Sequence, residues 1–327
     1  MRLAWFRATP PDSGALLDRT AALIEALRRT HTVEIVTAAD AHDFVWKHGR
    51  HPFDLCVYEV GRSRGQRFIA PYLLHYPGVV FLVDTAMADA RIWNGARMIV
   101  VSDSAAADAI ASEWPAARVR HVPPGVAGTG FQGPGSSFEG RPLRVATLDL
   151  SRRGVVERAL QRARKLGAAV ELSDAPEAAD VVIAVEWPPR AGPPPAALHA
   201  RAAGRVAIVL EVEVTAGWPA LDPQTWLPRG FGADQPVVVS LDPRDEEHSL
   251  MLALVRLAAD PSLVRAVGAA ARVWWEAHAT IDRAVARWEG ILHEAVTLPP
   301  ASRQAVADGT ERAREILAEI GAQVDFL

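Results

Sequence analysis

The chain has 327 residues, about twice the length of a typical domain, and half of them are hydrophobic. These values predict two globular domains with separate apolar cores. The formal net charge of −4 gives no electrostatic case for binding to nucleic acid or to an anionic membrane.

The single cysteine and the hydropathy pattern further restrict the classes of protein to which the chain can belong. Cys56 lies in the apolar run 53–57, which predicts a buried thiol, and one cysteine excludes an internal disulfide or a multi-cysteine metal site. Residues 1–6 are too short for the apolar part of a secretory signal, and no apolar run approaches the roughly 18 residues that span a bilayer. We therefore expect a cytoplasmic protein, with contact to a membrane surface or a partner protein left open.

The first 127 residues alternate short apolar runs with stretches of helical spacing. Strands of this length without strict alternation are typical of a parallel sheet that is covered on both faces. The alternation of strands with helices favours a doubly wound sheet. The pattern predicts strands at residues 3–6, 33–37, 53–58, 78–83, 97–102 and 119–122, and helices at 15–29, 67–75 and 104–114.

Residues 128–142 are rich in Gly, Pro and Ser and are the predicted linker. A second α/β pattern predicts a shortened Rossmann-like domain at residues 143–298. The spacing of apolar residues in 299–327 predicts an amphipathic C-terminal helix that packs on the first domain or on a partner. The second domain is predicted to have strands at 143–148, 169–172, 181–186, 206–211 and 237–241, and helices at 155–166, 196–203, 248–258, 261–278 and 281–296.

Three segments of the first domain carry motifs. WFRATPPDSGALL (residues 5–17) joins a strand to a helix through a loop that contains Ser13 and Gly14. YEVGRSRGQRFIAPYLLHYPGVVFLVD (residues 58–84) and ARMIVVSDSAAADAI (residues 96–110) follow it. In this order they resemble the first domain of family 4-like (group 1) glycosyltransferases, which have the GT-B fold.

The second domain resembles the same family at residues 179–182, 204–210 and 260–273, the last reading DPSLVRAVGAAARV. The resemblance implies two Rossmann-like doubly wound domains with a cleft between them. The first would be the acceptor side and the second the nucleotide-sugar side. It also implies a nucleotide-diphosphate sugar as donor, with no metal or other cofactor, and an acceptor that the sequence does not identify.

The resemblance also implies site residues. Ser13 and Gly14 belong to the loop that faces the donor diphosphate in the family, where backbone N–H groups at a helix N-terminus favour an anion. Arg153 stands where the family has a lysine, and either cation can meet a phosphate. Asp84 ends a strand at the predicted cleft, and a catalytic role and a capping role are equally consistent with it. The other candidates for donor binding are Gly61, Glu186, Arg190 and Glu211.

Several of these candidates have a plainer interpretation. Glu186 and Glu211 could bind a ribose, and solvated charge at the ends of strands explains them as well. Arg190 lies in the stiff loop WPPRAGPPP (residues 187–195) and could reach a phosphate or have no role. Ser13 and Gly14 alone also fit an ordinary helix cap and turn.

The sequence departs from the family at motif positions. Val83 replaces a histidine that is thought to contact the donor sugar, and valine neither donates a hydrogen bond nor titrates. Ala191 and His199 stand at the two acidic positions of the E-x7-E motif, and Arg62 replaces an asparagine. About two β-α units are missing after the first strand of the second domain.

Two hypotheses remain. The first is a retaining hexosyltransferase-type glycosyltransferase that transfers a sugar to a glycan, a lipid or a small molecule, with the leaving diphosphate stabilised electrostatically. The second is a catalytically inactive protein of the same fold that serves as a binding or scaffold subunit. Its oligomeric state is not predicted.

Overall fold

The computed structural model describes residues 1–8, 20–61, 64–83, 95–128, 138–149, 152–187, 192–229 and 235–299. Within these ranges the chain forms two largely parallel sheets with helices packed on their faces. This architecture confirms the predicted α/β class with two Rossmann-like units. No described helix is both long enough and apolar enough to cross a membrane.

The first sheet has six parallel strands in the order β2-β1-β3-β4-β5-β6. Its central strands are buried on both faces, as their unbroken apolar sequences predict. The strands are β1 (Arg2–Phe6), β2 (Thr32–Val36), β3 (Leu55–Val60), β4 (Gly78–Leu82), β5 (Ala96–Val101) and β6 (Val119–His121). The described helices of this part are α1 (Ala21–Leu27), α2 (Ala41–Arg50), α3 (Ile69–His75) and α4 (Ser104–Glu113).

The second sheet has the order β12-β11-β13-β10-β9-β7-β8 and is parallel except where β11 meets β12. The short β11–β12 hairpin was not predicted, because two-residue strands carry no periodicity. The strands are β7 (Leu143–Thr147), β8 (Val170–Leu172), β9 (Val181–Ala184), β10 (Val206–Leu210), β11 (Ala220–Leu221), β12 (Pro228–Arg229) and β13 (Val238–Leu241). The helices are α5 (Arg153–Lys165), α6 (Pro195–Ala202), α7 (Glu246–Ala259) and α8 (Pro261–His278).

Local sequence explains where several helices begin. Asp103 caps α4 by accepting hydrogen bonds from the backbone N–H groups of Ala105 and Ala106, at 3.2 and 3.3 Å. Asp260 caps α8 through the N–H of Leu263, and Pro261 occupies the first turn, where a missing N–H costs nothing. These caps agree with the boundaries that the sequence predicts.

The last described helix, α9 (Ile281–Thr297), returns to the first sheet although it follows the second domain in sequence. Trp288 is 2 % exposed, and its ring lies 5.3 Å from the rings of Trp5 and Phe81. Sequence order alone had assigned this helix to the second domain. Its packing against α1 and the first sheet ties the two halves together.

A buried arginine in the second domain is an exception to ordinary packing. Arg201 on α6 is fully buried, with its guanidinium carbon 3.6 Å from the ring of Trp218 and 4.1 Å from that of Trp274. None of its three nitrogens has a hydrogen-bond partner among the described residues. Burial lowers the pKa of Arg201 to about 9, so the group is still charged at pH 7. Cation–π contact offsets part of the cost of burying that charge.

Candidate functional site

The carboxyl ends of β3 and β4 bring two predicted motif positions together. Val60 is paired with Leu82, so Gly61 and Val83 follow side by side at the edge of the first sheet. A Cβ atom on Gly61 would lie 2.8 Å from Cγ2 of Val83 and 2.9 Å from Oε1 of Gln66. Only glycine fits here without displacing its neighbours. In open α/β sheets ligands bind beyond this edge.

Four buried polar side chains lie at the same edge, and the sequence analysis singled out none of them. Nε of Arg7 is 3.4 Å from Oε2 of Glu59, and the hydroxyl of Thr20 donates to the same oxygen at 3.0 Å. Nε2 of Gln66 donates to the backbone oxygen of Glu59 at 3.0 Å. All four residues are at most 9 % exposed. The sequence feature that could have identified Glu59 and Arg7 is a charged residue inside or directly after an otherwise apolar strand, as in LCVYEV and RLAWFR.

Glu59 connects the two sides of a gap in the described chain. Arg7 follows β1 and Thr20 precedes α1, so one carboxylate binds residues from both flanks of segment 9–19. That segment contains the predicted donor loop with Ser13 and Gly14. Buried ionic groups of this kind are costly to separate, because removing one partner leaves the other charge desolvated.

Arg153 begins α5 directly after β7, at the carboxyl edge of the second sheet. Its side chain is 41 % exposed and forms ion pairs with Glu157 at 3.0 Å and Asp174 at 3.2 Å. Hydrogen bonds to these two carboxylates raise the pKa of Arg153. The neighbouring Arg152 instead pairs with the buried Glu246. Of these two cations, Arg153 is the more exposed at a helix N-terminus, where an anion is favoured.

The predicted carboxylates Glu186 and Glu211 follow the adjacent strands β9 and β10, so both lie near the same sheet edge. Glu211 forms an ion pair with Arg229, which also binds Asp222. Glu186 lines a cavity of about 10 Å³ together with residues that follow β10. That volume is at the lower limit for a single water molecule, so this cavity does not accommodate a ribose.

His199 occupies the motif position at which the family has an acidic residue. It lies on α6 and is partly buried, and burial lowers its pKa below 6.5. The imidazole is therefore neutral at pH 7 and offers one acceptor nitrogen, whereas a carboxylate offers two oxygens. His199 is a poor substitute for a ribose-binding glutamate.

Other sequence-predicted positions fall outside the described residues: Ser13, Gly14, Arg62, Asp84, Arg190 and Ala191. Their roles stay predictions. Among the residues that the structure describes, no group of three His, Cys, Asp or Glu side chains is arranged to hold a metal ion.

Comparison with known proteins tests the architecture. No protein-family model matches the chain, and a search of curated proteins found no match. Among solved structures, sucrose-phosphate synthase from Thermosynechococcus elongatus is similar over 90 % of this chain and 98 % of its own, with 13 % identity and a TM-score of 0.61. The fold is the GT-B fold. At such identity the likeness establishes the fold and leaves the activity open.

Two further structures agree with this GT-B assignment. HepE of Anabaena, solved with UDP and glucose, is similar over 90 % of this chain and 100 % of its own, with 12 % identity and a TM-score of 0.63. A glycosyltransferase from Rickettsia africae is similar over 90 % of this chain and 98 % of its own, with 9 % identity and a TM-score of 0.62. The GT-B likeness therefore extends across both sheets.

Proposed function

We propose that the chain binds a nucleotide-diphosphate sugar between its two domains and transfers the sugar, with retention, to a glycan, lipid or small-molecule acceptor. The observation that carries this proposal is Arg153, an exposed cation in the first turn of α5 at the carboxyl edge of the second sheet. The solved structure of HepE with UDP-glucose, which has the same fold, supports the choice of donor class.

Arg153 is suited to exchange its present partners for a phosphate. Its two carboxylate partners are 50 % and 85 % exposed, and exposed ion pairs contribute little to stability because water and salt screen them. A diphosphate at this point would meet the guanidinium and the first backbone N–H groups of α5 together. The same groups would stabilise the negative charge that grows on the leaving diphosphate during transfer.

The first domain would supply the opposite wall of the cleft. In this proposal the loop with Ser13 and Gly14 faces the diphosphate, and Gly61 and Val83 lie at the sheet edge beside which the sugar binds. Asp84, one residue beyond Val83, is the proposed catalytic group. The proposal requires no metal, because the arginine and the backbone N–H groups compensate the negative charge of the diphosphate.

The test is calorimetric titration of the purified chain with UDP, GDP and their common sugar conjugates. We expect micromolar binding of at least one of them, reduced at least tenfold in Arg153→Ala. Arg158→Ala is the matched control, because Arg158 lies on the same helix and also forms an exposed ion pair, with Glu247 at 2.8 Å. Equal loss in both variants, or no binding by the parent protein, would refute the donor site.

The second candidate function is a scaffold that has lost catalysis. It is favoured by the neutral His199 at an acidic motif position and by Val83 at a histidine position. The two functions differ in turnover. If the chain binds a nucleotide-sugar but transfers its sugar neither to an acceptor of any of the three classes nor to water, the result would favour the scaffold.

A further inference from the structure

The outward face of α2 carries two large apolar side chains that are open to solvent. Val45 is 48 % exposed and Trp46 is 60 % exposed, whereas Ala41 and Phe44 of the same helix are buried. Val45 also borders an open groove of about 380 Å³, whose other lining residues belong to α3 or follow it directly. A contiguous exposed apolar surface of this kind marks an interaction site.

The helix that presents this face is firmly anchored. The ring of Phe44 lies 5.1 Å from that of Tyr76, and the ring of His48 also lies 5.1 Å from it. The hydroxyl of Tyr58 donates to the backbone oxygen of Tyr76 at 2.6 Å, which fixes Tyr76 to the first sheet. A face on such a support is preformed, so a partner would bind it with little cost of ordering.

Charges of opposite sign lie at the two ends of the same face. Asp43, in the first turn of α2, has a side chain that is 56 % exposed and pairs with His42 at 3.1 Å. Arg50, at the end of α2, lies over Trp46, with its guanidinium carbon 4.1 Å from the ring. Positions 43, 46 and 50 follow the spacing of one helical stripe. This stripe therefore presents an acid, a tryptophan and a base in order along the helix.

A stripe of this kind is complementary to a second copy of itself in the reverse direction. A two-fold axis perpendicular to α2 would place the two Trp46 side chains together and each Asp43 beside the Arg50 of the other copy. This arrangement also brings the N-terminus of each helix to the C-terminus of the other, which the helix dipoles favour. Gly49 leaves room beside Trp46, because a Cβ atom there would meet no atom of the described chain within 4 Å.

The balance of charge favours a second copy over a membrane surface. The stripe contains one acidic and one basic residue, and the neighbouring Lys47 is neutralised by Glu34 on β2. An anionic lipid surface attracts clusters of basic residues and would gain little here. A partner that repeats the same stripe in reverse satisfies both charges and covers the tryptophan.

We propose that the chain forms a two-fold symmetric dimer in which α2 packs antiparallel against α2 of a second copy, with Trp46 at the centre. Tryptophan is enriched among the residues that dominate binding energy near the centre of an interface. With 10 residues, α2 is about 15 Å long. A face of this size lies at or below the low end of the roughly 1,200–2,000 Å² that specific interfaces bury, so we expect a micromolar dissociation constant. This inference does not depend on donor binding.

Sedimentation velocity of the full chain from about 1 to 100 µM tests the proposal, because this range brackets the expected dissociation constant. The parent protein should change from monomer to dimer across the range, and Trp46→Asp should stay monomeric throughout. Val273→Asp is the matched control, since Val273 is 66 % exposed on α8 and lies outside the proposed interface. The thermal midpoint of each variant checks that it is folded.

Reversal of charge tests the antiparallel arrangement. Asp43→Arg and Arg50→Asp should each weaken the dimer at least tenfold, because each places like charges opposite one another at two symmetric points. An equimolar mixture of these two variants should dimerise again, since opposite charges then face each other. The double variant Asp43→Arg/Arg50→Asp should dimerise for the same reason.

The proposal is overturned if the parent stays monomeric at the highest concentration, if Trp46→Asp dimerises as the parent does, or if Val273→Asp abolishes the dimer equally. Charge reversals that neither the mixture nor the double variant repairs would also overturn it. Vesicles of phosphatidylcholine and phosphatidylserine provide a last comparison. Binding of the monomeric parent to them, lost in Trp46→Asp, would assign the face to a membrane and refute the dimer.

Discussion

Replacing Glu59 by glutamine tests whether the polar cluster at the cleft edge is truly desolvated. The side chains of Arg7 and Glu59 are only 8 % and 12 % exposed, so Glu59→Gln leaves a buried guanidinium without this counter-charge while the shape of the side chain is kept. Breaking a buried ion pair by removing one partner costs about 3–5 kcal/mol. The amide oxygen can still accept from Thr20, so the loss comes mainly from the charge.

The assay must report on the first sheet alone, because unfolding of a two-domain chain need not be two-state. Native-state hydrogen exchange of the β1 and β3 amides meets this need. Thr20→Val is the control, since it removes a hydrogen bond of 3.0 Å to the same carboxylate but leaves the Arg7–Glu59 ion pair in place. A hydrogen bond to a charged group contributes about 1.5–3 kcal/mol. Both variants keep the backbone of β3 unchanged.

The size of the effect decides the interpretation. If Glu59→Gln costs no more than Thr20→Val, then water reaches the carboxylate and the pair behaves as an exposed one. Glu59 would then not hold the two flanks of segment 9–19 together. An Arg7→Met/Glu59→Gln variant that recovers most of the stability would support the buried-pair reasoning, because both charges of the pair are then removed together.

Four further predictions follow from the packing and the burial of charge. Gly61→Ala should destabilise the first domain by about 1–3 kcal/mol through its contact with Val83, and adding Val83→Ala should restore part of that loss, as a denaturation cycle would measure. Arg201→Met should raise the thermal midpoint, because it removes a buried charge whose nitrogens have no described hydrogen-bond partner, and a lower midpoint would mean that the tryptophan contacts dominate. Trp288→Ala should cost about 3–5 kcal/mol and loosen α9 from the first sheet, which hydrogen exchange of α9 would detect. The lowered pKa of His199 means that the unfolded chain binds more protons just below pH 6.5, so stability should decline as pH falls through that point, and His199→Leu should make the decline shallower in urea titrations at several pH values.

Much of the first domain was accessible from the sequence because its signals are local. Each buried strand is a short apolar run, as in GVVFL and ARMIVV, and α4 begins at a cap, Asp103, that its own sequence supplies. The neighbourhood of Gly61 and Val83 could be anticipated too, since carboxyl ends of adjacent parallel strands meet at one edge. The ion pair of the candidate carboxylate Glu211 could not be anticipated, because its partner Arg229 lies on a hairpin that has no periodic sequence pattern.

By itself, the sequence determined the class of fold, the order of the strands along the chain and most helix limits. These features depend on residues that are close in the chain, so their physical cause is visible in the pattern. The tertiary structure alone decided that α9 returns to the first sheet, where Trp288 meets Trp5, and that Glu59 joins Arg7 to Thr20. Contacts of this kind join residues that are distant in sequence, and their energy comes from burial and charge pairing that exist only once the two sheets have formed.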